Sequence, residues 1–127
     1  MKIDIKKAPV RAGSRYPKPF DAPCQNKLRR RLGLAAGLTQ FGVNLLELQP
    51  AAWSSQRHWH PGVDEFVYIL RGPVVLVTDG GETLLETGDC AAFKAGVTDG
   101  HHLQNRGNET ALVLEIGTAG PAEQHTC

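Results

Sequence analysis

The rhythm of hydrophobic and polar positions changes near residue 41. From there the chain runs in short apolar or alternating stretches: 42–48 (GVNLLEL), 54–60 (SSQRHWH), 65–70 (EFVYIL), 73–78 (PVVLVT), 82–86 (ETLLE), 90–93 (CAAF), 101–105 (HHLQN) and 110–116 (TALVLEI). Turn formers separate them, among them Pro61-Gly62, Gly72-Pro73, Asp79-Gly80-Gly81, Gly88-Asp89 and Asp99-Gly100. Short strands with little helix predict an all-β fold, an antiparallel double sheet or small barrel. Strand alternation places Val67 and Ile69 on the side of Glu65, and Phe66, Tyr68 and Leu70 on the other. Because 65–70 and 73–78 are apolar on both faces, the second face needs a cover. Either a homodimer or the N-terminal arm would supply it.

The first forty residues read differently. Pro9, Pro17, Pro19 and Pro23 argue against a continuous helix, so an extended arm with one short strand is expected. Segment 27–36 admits a brief helical turn, weakened by Gly33 and Gly37. The reading divides the chain into an arm, 1–40, belonging to the same domain as a β-barrel, 41–120, and a tail, 121–127.

Charge sharpens this division. The formal net charge is +1, yet residues 1–31 carry ten Lys/Arg against two Asp, leaving four Lys/Arg and eleven Asp/Glu for the rest. The arm lacks a helix-turn-helix pattern, zinc-finger spacing or interleaved aromatics, so nucleic acid is not the expected partner. A solvated arm lying against an acidic body or a partner subunit is the simpler expectation.

With 127 residues and 41% hydrophobic content, the chain suffices for one domain with a real core. No apolar run approaches the roughly 20 residues of a membrane span. The N-terminus lacks a secretory apolar stretch, which makes a cytoplasmic location the expectation. Cys24, Cys90 and Cys127 have no metal-ligand spacing and imply no disulfide framework. Cys90, inside an apolar run, is expected to be a buried small hydrophobe.

Candidate chemistry lies with the histidines. His58 and His60 flank Trp59, and in a strand positions i and i+2 share a face. Glu65 opens the next apolar strand, where a carboxylate is costly to bury unless it is paired or binds a cation. His101 and His102 open a later strand and should face opposite sides. Imidazoles with one carboxylate suit Mn, Fe, Co, Ni or Zn. Without a metal, the same residues would form a polar mouth in which His58 and His60 hydrogen-bond carboxylates. Gln56 shares parity with the two histidines, so its amide is expected to line the pocket; Arg57 and Trp59 should point away.

At these residues the sequence resembles the cupin superfamily, in particular its small single-domain bacterial members. The first cupin motif is matched by His58-Trp59-His60, four residues, Glu65, six residues and Gly72, with Ala52 in place of the leading glycine. The second is matched by Gly88, five residues, Lys94-Ala95-Gly96, then His101, three residues and Asn105. Lys94 replaces the motif's proline, and four residues rather than two separate Gly96 from His101. Strict register would select Asp99; the spacing to Asn105 selects His101.

The resemblance implies a double-stranded β-helix, or jelly-roll barrel, and one divalent ion held by His58, His60, Glu65 and His101. Manganese or iron is preferred, with nickel, zinc or cobalt also admitted. It implies no single reaction. The expected function is a metal-dependent enzyme on a small oxygenated or sugar-like substrate, of dioxygenase or isomerase type. The alternative is a non-catalytic, metal-assisted module that binds or senses a small molecule.

Overall fold

The computed structural model describes residues 1–14 and 16–118. The expected tail, with His125 and Cys127, lies outside the described residues. Two antiparallel sheets account for the strands. The larger runs in the order β1 (Val10–Ala12), β2 (Lys27–Arg31), β3 (Phe41–Leu48), β9 (Ala111–Thr118), β4 (Glu65–Arg71) and β7 (Cys90–Phe93). The smaller has β5 (Val74–Thr78) between β6 (Gly81–Leu85) and β8 (His102–Gln104).

Alternation along β4 decides what faces the interior. Val67 and Ile69 are buried, while Phe66, Tyr68 and Leu70 are 37%, 40% and 43% exposed. The register continues the inner row across β9, where Val113 lies between Leu46 of β3 and Ile69 of β4. These residues join Leu48, Val74 and Leu103 in a core drawn from both sheets. Truncating one such Leu to Ala costs about 2–5 kcal/mol in cores of this kind.

Three expectations are corrected. Segment 54–60 is not a strand; its ladder pairing is reduced to an isolated bridge from His58 to His101, with another just before it from Trp53 to Gln104. Ser54 and Ser55 are both buried, so consecutive side chains turn inward and the two-residue alternation of a strand is lost. Residues 27–31 are not a solvated arm but β2, paired with β3 from Lys27–Leu48 to Arg31–Asn44. Alternation turns Lys27 and Arg29 inward, where both are buried. Lys27 Nζ donates to the Ser54 carbonyl, and Arg29 is ion-paired with Glu115, so both groups find acceptors inside. The helical turn contracts to α1 (Leu32–Ala35), beyond which Gly37 adopts φ +72°, a conformation suited to glycine.

The third correction concerns Cys90, which is exposed. Its register partner is Tyr68, so it shares the outer face of the sheet. Among the described residues, β1 and β2 do not cover that face, because they extend the sheet at the edge opposite β7.

Candidate metal centre

Glu65 begins β4, and the chain reaches it from His60 through Pro61-Gly62. Though outside a regular strand, His58 is held by a reciprocal bridge. Its N–H donates to the His101 carbonyl at 3.3 Å, and the His101 N–H donates back at 3.0 Å. This bridge brings the two ends of the site together across 43 residues of sequence.

The side chains converge on the Glu65 carboxylate. Oε1 lies 2.8 Å from His60 Nε2 and 4.0 Å from His58 Nε2, while Oε2 lies 3.4 Å from His101 Nε2. His58, His60 and Glu65 each offer one ligand atom, all within 4.8 Å of one another, an arrangement with capacity for a metal ion. His101 borders the same space, its ring stacked on Phe93 with centroids 3.6 Å apart.

Hydrogen bonding sets the tautomer of His58. Its Nδ1 lies 2.8 Å from the Gln56 carbonyl, which can only accept, so Nδ1 carries the proton and Nε2 keeps a lone pair. The Ser55 hydroxyl lies 3.1 Å from the same nitrogen. The close approach of His60 Nε2 to Glu65 Oε1 is not aligned as a hydrogen bond. Those two atoms and His58 Nε2 are therefore buried without a hydrogen-bond partner. Such orphaned polar atoms are rare and costly unless a further partner, such as a cation, completes them. The residues present fit a divalent ion.

Electrostatics agree with that fit. Burial holds the His58 pKa below the ordinary imidazole value; the Gln56 carbonyl and Glu65 oppose the shift, and His60 and His101 add to it. The neutral form is thus favoured, as ligation requires. Burial alone would raise the Glu65 carboxyl. The hydrogen bond from His101, with the electrostatic attraction of the surrounding His101, His60 and His58 rings, outweighs burial and leaves the pKa lowered.

The other candidates take different places. Asp99 Oδ1 accepts from the Asp79 backbone at 2.7 Å and lies 3.6 Å from Arg57. His102 is buried, but its Nδ1 donates to the Ser55 carbonyl at 2.9 Å and its ring packs 4.8 Å from that of Trp53. Its pKa is lowered, chiefly by burial. Gln56 does not line the pocket: its amide donates to the Phe20 carbonyl at 2.7 Å, drawn there by the folded N-terminal segment. Tyr68 stands on the outer face, away from the site.

Sequence reasoning missed the opposite wall. An inner cavity of about 70 Å³ is bordered by the His/Glu cluster and also by Arg29 and Glu115. Arg29 Nε and Nη2 donate to the two Glu115 oxygens at 2.7 and 3.0 Å. The i, i+2 placement of Lys27 and Arg29 beside Leu28 was the available signal, once the segment is read as a strand.

Comparison with known proteins agrees with this geometry. The family model described as Cupin domain matches residues 44–117. A sugar phosphate isomerase from a cupin superfamily, of Silicibacter pomeroyi, is 46% identical with a TM-score of 0.91, covering 95% of this chain and 77% of that one. The tetracenomycin polyketide synthase protein TcmJ of Streptomyces glaucescens is 31% identical over 88 residues, 68% of this chain and 57% of TcmJ. The match thus spans little more than half of that relative's length. The polyketide cyclase RemF from Streptomyces resistomycificus is similar in fold alone, at 17% identity and a TM-score of 0.76, covering 94% of this chain and 80% of that one.

Proposed function

Since the chain belongs to the cupin family, we propose that it is a divalent-metal-dependent enzyme acting on a small, sugar-like oxygenated substrate, with isomerisation as its reaction type. The observation that carries this reading is the set of three buried, unpartnered ligand atoms on His58, His60 and Glu65. In this reading the two sheets close face to face as a jelly-roll barrel, and His101 completes a four-residue ligand set. Mixed imidazole and carboxylate donors suit manganese or iron first, with nickel, zinc and cobalt also accommodated. When bound, such an ion supplies Lewis acidity to adjacent substrate oxygens. The protein's part is to keep the His58 imidazole neutral by burial, to orient it through the Gln56 carbonyl, and to hold the His101 ring against Phe93. The Silicibacter pomeroyi relative, named as a sugar phosphate isomerase, supports isomerisation over a dioxygenase reaction.

The test is metal analysis of untagged protein, followed by proton-exchange NMR on aldoses, ketoses and their phosphates. Metal-dependent exchange at the carbonyl-adjacent carbon is expected. Metal and ligand binding without turnover would instead indicate the binding or sensing module.

A homodimer is part of the same proposal. Phe66, Tyr68 and Leu70 form an exposed apolar row that the N-terminal strands leave uncovered, and a two-fold axis would set this row against its own copy. Sedimentation equilibrium at micromolar concentration should show twice the 13.8 kDa mass; a monomer alone would overturn it.

A further inference from the structure

Outside the inner cavity, a wider cleft of about 370 Å³ opens over His60, Glu65 and His101. Lys94, Val97 and Asp99 stand along it. All three belong to the segment in which the sequence departs from the second motif, where Lys94 replaces proline and the loop before His101 is longer.

This segment is tied to the ligand-bearing chain. The Ala95 N–H donates to Asp64 Oδ1 at 2.8 Å, and the Gly96 N–H donates to the His60 carbonyl at 2.8 Å. The Val97 N–H closes a turn onto the Lys94 carbonyl at 3.3 Å, with Gly96 at φ +82°. On the other side of Lys94, Phe93 is stacked on His101. The Lys94 backbone is therefore registered to the metal centre from both directions. The neighbouring carboxylates are engaged, Asp64 by Ala95 and Asp99 by the Asp79 backbone. The Lys94 ammonium is exposed and, among the described residues, has no hydrogen bond or ion pair. Trp59, Leu76, Phe93 and Val97 supply low-dielectric walls that would concentrate its field within the cleft.

We propose that Lys94 is a specificity residue, anchoring an anionic group at the outer end of a substrate whose other end reaches His60, Glu65 and His101. The substrate class is a small polyhydroxylated acid or phosphate ester, its carbon skeleton lying against Trp59 and Val97. The inference rests on the metal reading above.

Gluconate, 6-phosphogluconate and glucarate share one skeleton and differ at the far end: hydroxyl, phosphate and carboxylate. Their affinities are to be measured calorimetrically on the Mn²⁺-loaded full chain at low ionic strength. Tighter binding of 6-phosphogluconate or glucarate than of gluconate is expected, by about tenfold. The stronger of the two identifies the anion as phosphate or carboxylate. Lys94→Ala should abolish the discrimination, Lys94→Arg should retain most of it, and Lys94→Glu should reverse it, with affinity for Mn²⁺ alone unchanged in all three. Equal affinities for the three probes in the parent protein, or discrimination surviving in Lys94→Ala, would overturn the assignment. Failure of the parent protein to bind Mn²⁺ would overturn the metal reading instead; the same probes on metal-free protein would still decide the role of Lys94.

Discussion

Arg29 with Glu115, and His58 with His60 and Glu65, border the same inner cavity but are completed in different ways. At the first cluster the guanidinium meets both carboxylate oxygens and also donates to the Ser54 carbonyl at 3.2 Å. At the second, three atoms lack a hydrogen-bond partner, and among the described residues no other buried side-chain nitrogen or oxygen does. A folded chain leaves few buried polar groups unmatched, because each costs its full desolvation penalty. The matched cluster therefore reads as architecture joining β2 to β9. The unmatched one reads as a receptor for something the chain does not itself supply.

The largest expected effect is at the unmatched cluster. Replacing His58 and His60 together by Ala should weaken Mn²⁺ or Fe²⁺ binding by about a thousandfold or more, since two of the donors that supply the binding free energy are lost. Titration calorimetry on metal-stripped protein would measure it, and unchanged affinity would end the distinction between the clusters.

Glu115→Ala tests the other side. It removes the carboxylate that balances the buried Arg29, leaving the Ser54 carbonyl as an acceptor, and should cost about 3 kcal/mol of stability, read from urea unfolding. Metal affinity should change little in the molecules that remain folded. A large loss of metal affinity with small loss of stability would show that both clusters serve the ion.

A finer test lies among the neighbours of the site. His101→Ala, which removes one proposed ligand, should lower metal affinity by about a hundredfold or more, though less than the double substitution. His102→Ala and Asp99→Asn should leave it unchanged, because those side chains are spent on Ser55 and on the Asp79 backbone. An anomalous-difference map of the metal-loaded protein would locate the ion directly.

The smallest effect concerns pH. The folded His58 pKa lies below its ordinary value of 6.5, so the unfolded chain takes the proton more readily. Its contribution to metal-free stability is fully present above about pH 6.5 and is lost as pH falls through the lower folded value. Thermal midpoints measured from pH 8 to pH 5 should decline in acid, and His58→Ala should flatten part of that decline. Metal affinity should fall over the same window as protons compete for Nε2.

What could be read from the sequence was local. His58, His60 and Glu65 lie within eight positions, and the alternation of 65–70 correctly separated Val67 and Ile69 from Phe66, Tyr68 and Leu70. Most strand positions were legible for the same reason, since period-two burial and turn residues act over a few residues. The reading failed where one neighbour changed the rule. Two buried serines broke the alternation of 54–60, and pairing with Tyr68 turned Cys90 outward.

By itself the sequence determined the cupin likeness, the residue types able to hold a metal, and the apolar rows that build the sheets. Only the tertiary structure decided that a basic segment enters the sheet as β2, because the partner that makes Arg29 tolerable, Glu115, stands 86 positions away. The spacing to Asn105 had already selected His101 over Asp99; what the tertiary structure added is the backbone bridge to His58 that sets His101 beside Glu65, and the Ser55 carbonyl that takes up His102. Burying a charge is decided by what lies across the cavity, and that depends on register between distant strands rather than on any local pattern.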